Sequence, residues 1–216
     1  MFLKISEFKK AMKSALKSAG GLIVGNEEGH ILVRTDFWGV WVEVDHATSK
    51  FKAAIVELIG DMPDYGTKYR FYMNEKELCM EHSADCFDPY EEWKRAKDFA
   101  CMVPLALYEF PHETLIYQRH SDRSYITVRK DYSIGMLSDA ELESGEGVPA
   151  RPSVSMRGVT LFFKNEVMIY WVSCVKVPER TRDTILYSLG AFDFFEDSWL
   201  PKEPEESSNE TWELPY

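Results

Sequence analysis

From Ser6 onward, apolar residues fall at Phe8, Met12, Ala15, Leu16 and Ala19, mostly three or four apart, which is the repeat of one helical face. Ser6 is the expected N-cap and Gly20-Gly21 the expected stop. The pattern then changes. Leu22 to Val24, His30 to Thr35 and Val40 to Asp45 read as strands parted by turns at Asn26 to Gly29 and Asp36 to Gly39, with Trp38 in the second turn. Phe51, Ala54, Ile55, Leu58, Ile59 and Met62 restore the helical spacing, capped by Thr48 or Ser49 and ended before Pro63. "KYRFYM" and "ELCMEH" follow as strands joined at Asn74-Glu75-Lys76.

Asp88 as N-cap and Pro89 at the first helical position open a third helix, expected to run to about Ala100. Strands are expected at Met102 to Phe110, Thr114 to Arg119, Tyr125 to Lys130 and Tyr132 to Leu137, and a hairpin at Val154 to Phe163 and Val167 to Val177. A last helix starts at Pro178-Glu179 and ends near Gly190. The predicted class is α+β: antiparallel sheets covered on one face by about four helices, with helix, strands, helix, strands in the N-terminal half. Two lobes are expected, 1–84 and 85–200, with a mobile polar loop at 138–152 and an acidic flexible tail at 201–216.

The content of 45% hydrophobic and 14% aromatic residues is that of a chain that folds around a core. A formal net charge of -11 argues against broad attraction to nucleic acid or anionic membranes. It leaves room for a local basic face. Lys9, Lys13 and Lys17 form a helical stripe beside Lys10, with Glu7 the only acid on that helix. No segment approaches the roughly 20 apolar residues of a membrane span, and the opening stretch lacks a signal-peptide pattern, so a cytoplasmic location is expected. Cys79, Cys86, Cys101 and Cys174 are too sparse for a disulfide framework and read as reduced thiols.

Candidate chemistry is thin. Cys79, His82 and Cys86 are the metal-ligand candidates, with Cys101 or His112 to complete a set; the odd spacing of Cys79 and His82 on one strand argues against them. "RHSDRS", Arg119 to Ser124, gathers His, Ser and Asp, but contiguous residues rarely converge as a triad, and it reads as a hydrogen-bonded turn. Asp139, Glu141, Glu143 and Glu146 read as solvated charge. No catalytic residue and no cofactor is nominated, and the chain is read as non-enzymatic. Aromatics interleave with cations in "KYRFYMNEK" and "YITVRKDY", where strand alternation favours a core over base stacking. Trp38 and Trp41 at one turn, and Trp212 and Tyr216 in "NETWELPY", are the candidate anchors for a protein partner.

Two strings, "EEGHILVRTDFWGVWVEV" and "KFKAAIVELIGDMPDYGTKYRFYMNEKELCME", resemble the first domain of a bacterial-type DNA sliding clamp. The first matches a strand, a Thr-Asp turn at Thr35-Asp36 and a strand; the second matches a helix, a turn at Met62-Pro63-Asp64 and a hairpin. The resemblance implies a ring-forming binding protein with helices that present cations to DNA and an acidic outside with a hydrophobic pocket for partner peptides. Lys9, Lys10, Lys13, Lys17, Lys50 and Lys52 fall where a DNA-facing set would lie. The departures are the absence of a match beyond about residue 84, acid rather than base after Lys52 in the second helix, and a length short of three domains, so that a two-domain chain would close a ring as a trimer. From another class, an acidic inhibitor of a nucleic-acid enzyme, of the anti-defence or antirestriction type and possibly DNA-mimicking, fits the net charge, the acidic loop and the acidic tail. An enzyme whose pocket assembles from distant residues is the third reading.

Overall fold

The structure, a computed structural model, describes residues 3–109, 112–138 and 151–196. Most of the loop expected to be mobile at 138–152, with its four acids, and all of the tail expected at 201–216, with Trp212 and Tyr216, lie outside the described residues. Helix α1 (Ile5–Ala15) leads to the meander β1 (Leu22–Glu27), β2 (His30–Arg34) and β3 (Trp38–Glu43), then α2 (Ser49–Ile59) to the hairpin β4 (Thr67–Asn74) and β5 (Glu77–His82). After α3 (Pro89–Arg95) come β6 (Asp98–Glu109), β7 (His112–Arg119), β8 (Tyr125–Arg129), the short β9 (Ser153–Val154), β10 (Thr160–Lys164) and β11 (Met168–Ser173). A last helix, α4, is built of Glu179–Thr181, a π-helical Arg182–Leu186 and Tyr187–Leu189.

The strands form one sheet in the order β5-β4-β1-β2-β3-β11-β10-β9-β6-β7-β8. Its middle joint pairs β3 with β11, from Val42 opposite Met168 to Trp38 opposite Val172, so the sheet continues across the two expected lobes. The main core lies on one face. Phe8 and Met12 of α1 and Phe51 and Ile55 of α2 pack there with Val24, Val33, Val40 and Tyr170, and the same cluster takes in Phe71 of β4 and Ile126 of β8.

The helices do not all lie on one face. α3 and the segment before it cover the opposite side, where Ala96, Trp93 and Phe87 meet Leu32, Phe162, Ile169 and Trp171. Further along that side, Leu189, Ile185 and Leu186 of α4 pack on Val103, Leu107 and Ile116. The cause is legible in "ILV", "LFF" and "MIYWV": these strands are apolar at consecutive positions, so both of their sides must be buried.

Several boundaries also differ from expectation. The N-cap of α1 is Lys4 rather than Ser6, and the helix ends at Ala15, where the Ser18 hydroxyl donates to the Ala15 carbonyl. α3 stops at Arg95 because β6 already begins at Asp98. Trp38 belongs to β3: the Thr35 hydroxyl accepts from the Phe37 and Trp38 amides at 3.1 and 3.2 Å, which tightens the turn onto Asp36 and Phe37. Tyr132 to Leu137 forms turns instead of a strand. There Ser133 Oγ donates back to Arg129 O, the Gly135 amide to Lys130 O and the buried Tyr170 hydroxyl to Tyr132 O, and only Leu137 keeps a strand-like bridge, to Leu3.

Candidate functional site

Two faces of the molecule carry charge of opposite sign. On the first, α1 and α2 lie side by side, joined by the stacked rings of Phe8 and Phe51, 5.1 Å apart, and by the ion pair of Lys9 with Glu57. Ile5 to Lys17 and Ser49 to Ile59 together hold six lysines against two glutamates. Lys10 pairs with Glu7 at 2.8 Å. Lys13, Lys17 and Lys50 are exposed without an ion-pair partner among the described residues, and Lys52 is half-buried. The structure thus places five of the six nominated lysines on two neighbouring helices, and Lys17, expected to extend the helical stripe, in the turn that follows because α1 already ends at Ala15.

The second face holds a cleft of about 790 Å³. His30, Leu32, Trp41 and Glu43 line it from β2 and β3, with the His30 ring stacked on Trp41 at 3.5 Å. Tyr65 and Gly66 border it from the loop before β4, Cys86 to Tyr90 from the start of α3, and Lys164 and Glu166 from the β10–β11 turn. Tyr90 stands 5.9 Å from Trp41. The α3 end is rigid by construction: Asp88 Oδ1 accepts from the Tyr90 and Glu91 amides at 2.9 and 3.0 Å, and Pro89 supplies a fixed first helical residue.

Five carboxylates line this cleft, Glu27, Glu28, Glu43, Asp88 and Glu166, against Lys68 and Lys164. Both lysines are already engaged. Lys68, itself buried, meets Glu27 and the Asp85 carbonyl, each at 2.8 Å, while Lys164 lies 4.7 Å over the Trp93 ring and donates to the Asn165 carbonyl. Glu43 meets His46 at 2.9 Å. The Glu28 and Glu166 carboxylates are exposed and have no partner among the described residues.

Of the tryptophan anchors, Trp38 has no surface to offer: it is 1% exposed and meets Phe8 edge-on at 5.7 Å. Trp41 is half-buried in the cleft. Its companions His30, Tyr65, Phe87 and Tyr90 were not nominated by sequence, because they come from separate segments that only the folded sheet and α3 bring together. The single sequence signal was the hairpin, which sets Leu32 opposite Trp41 and so places His30 on the same side.

The remaining candidates do not converge. Cys79 and His82 pair with Tyr72 and Tyr69 along β5 and so point to opposite sides. Cys86 lies beyond the strand, and among the described residues no three His, Cys, Asp or Glu side chains are placed to hold a metal ion. In "RHSDRS", Ser121 donates to Asp98 at 2.7 Å, Ser124 donates to Asp122 at 2.6 Å, and His120 stacks on Phe99, so each group serves a different partner. The Ser124 hydroxyl holds the Asp122 carboxyl below its ordinary value. No helix among the described residues is long and apolar enough to cross a membrane.

No family model and no curated protein matches the sequence. Among solved structures, the chain is similar to the DNA polymerase III beta subunit of Thermotoga maritima, with 10% identity over 83% of this chain and 66% of that one and a TM-score of 0.33. It is also similar to the sliding clamp of Bartonella birtlesii bound to griselimycin, at 8% identity, 84% and 67% coverage and a TM-score of 0.31. The beta subunit of Borrelia burgdorferi matches at 10% identity, 82% and 64% coverage and a TM-score of 0.33. The chain spans about two thirds of the length of these clamps, and at such identities no residue role passes from them to this chain.

Proposed function

We propose that this chain is a non-enzymatic binding protein of the sliding-clamp kind, which lays the face formed by α1 and α2 against the DNA backbone. One observation carries the reading: a chain of net charge -11 keeps six lysines and only two glutamates on these two helices and the turn that follows α1, and leaves Lys13, Lys17 and Lys50 exposed and unpaired among the described residues. Contact with phosphates through such a face is loose and independent of sequence, while the acidic remainder limits association elsewhere.

The test is duplex binding at graded salt. Three phosphate contacts give a slope of about -2.7 in the logarithm of affinity against that of salt, roughly 0.9 per contact. Replacing Lys13, Lys17 and Lys50 together by Glu is expected to abolish binding with the thermal transition unchanged. Binding that survives the triple charge reversal removes this face from the function. The reading also expects a closed oligomer, and light scattering that finds only monomer at all concentrations rules out the ring.

A further inference from the structure

The cleft on the opposite sheet face stands apart from the DNA reading, since none of its lining comes from α1 or α2. Its floor is the His30–Trp41 stack, and its walls carry two exposed rings, Tyr65 at 74% and Tyr90 at 41%. An exposed aromatic surface of this kind attracts either nucleobases or cations. The carboxylates decide between them. With both lysines engaged and Glu28 and Glu166 unpaired among the described residues, a phosphate backbone is repelled from this cleft and a guanidinium or ammonium is drawn in.

The same face already shows this chemistry inside the fold. Arg34 lies 4.9 Å over the Phe87 ring while its guanidinium meets both Asp85 oxygens at 2.9 and 3.1 Å. Trp41 offers a ring with carboxylates nearby and no cation over it among the described residues. Size and spread point to a peptide rather than a small cation. The volume lies within the range of whole ligand sites, and the carboxylates sit on separate walls instead of converging on one point. The chain's own last stretch has the wrong charge, with Glu203, Glu205, Glu206, Glu210 and Glu213 and no cation after Lys202.

We infer that the cleft between the His30–Trp41 floor and the Tyr65 and Tyr90 walls docks an arginine-bearing segment of a partner protein, its guanidinium groups stacked on the rings and paired with Glu28 and Glu166. The probe is a fluorescein-labelled peptide of alternating arginine and glycine, with its glutamine-for-arginine counterpart as the neutral control, followed by anisotropy on the full chain. The arginine peptide binds and the neutral one does not. Glu28→Gln with Glu166→Gln weakens binding by about tenfold, as does Tyr65→Ala with Tyr90→Ala, while Glu75→Gln with Glu77→Gln, a pair of exposed acids in the β4–β5 turn and at the start of β5, leaves it unchanged.

Equal loss from both acid pairs makes the binding a general effect of net charge and overturns the proposal. So does binding of single-stranded DNA that depends on Tyr65 and Tyr90. Concentration-dependent self-association that the Glu28 and Glu166 changes abolish, with no uptake of the peptide, assigns the cleft to the lysine face of a second copy and equally overturns it. Survival of duplex binding in the cleft variants separates this test from that of the helix face.

Discussion

Gly39 sits on β3 where the Trp171 indole of β11 crosses the strand, and a Cβ at this position would lie 2.1 Å from Trp171 Cζ2. The indole has no room to retreat, because it is 4% exposed and packs against Phe87 at 5.2 Å. Gly39→Ala is therefore expected to cost about 1–3 kcal/mol in denaturant unfolding, with much of the loss restored when Trp171→Phe shortens the ring. No recovery in the double variant would place the fault elsewhere. A second residue contributes to the acid limit. Burial works to raise the Asp98 carboxyl, but the Ser121 hydroxyl, the Phe99 amide and Arg119 outweigh it and hold it below its ordinary value. A lowered carboxyl in the folded state adds stability above about pH 4, which is lost as pH falls through the folded value. Asp98→Asn should flatten the acid limb of melting temperature against pH. Parallel limbs in the two proteins would refute this.

Between elements, the turn after α4 is pinned to the sheet by a fully buried side chain, beside the apolar packing of α4 itself and the Tyr125 hydroxyl that donates to Leu189 O. Gln118 Nε2 donates to Phe192 O at 2.9 Å, and its Oε1 accepts from the Phe194 amide at 2.7 Å. Gln118→Leu leaves both backbone groups without their partner, at about 1–3 kcal/mol. Hydrogen exchange at Phe194 should then quicken far more than at Val40; uniform quickening would mean global destabilisation instead. The seat of α4 was not legible in the sequence, since Gln118 and Phe192 meet only across the folded sheet. The helices α1 and α2 were legible, because Phe8, Met12, Phe51 and Ile55 declare one buried side each. Tyr132 to Leu137 misled because its apolar spacing suits a strand, while Ser133 and Gly135 bond to local backbone instead. The cleft escaped for a related reason: Trp41 was visible in its hairpin, but Tyr65, Tyr90 and Glu166 become its neighbours only through the tertiary fold.

Across the whole molecule, one sheet separates a lysine-bearing helix face from an acidic, aromatic cleft. Both weaken toward their proposed ligands as salt rises, but the charge reversals that abolish one leave the other in place. The joint between β3 and β11 has a consequence for how the protein is made. β3 is complete at Glu43, yet the strand that pairs with its outer edge begins at Met168. During synthesis, at roughly 5–20 residues per second, more than a hundred residues must emerge before that edge has its partner. Until then the meander presents a free ladder flanked by Trp38 and Trp41, which is the sort of edge that pairs with other chains. Closing it is a long-range and slow step, so the nascent chain's exposure to aggregation is governed by the arrival of β11 rather than by the fast local folding of α1 and the first hairpin.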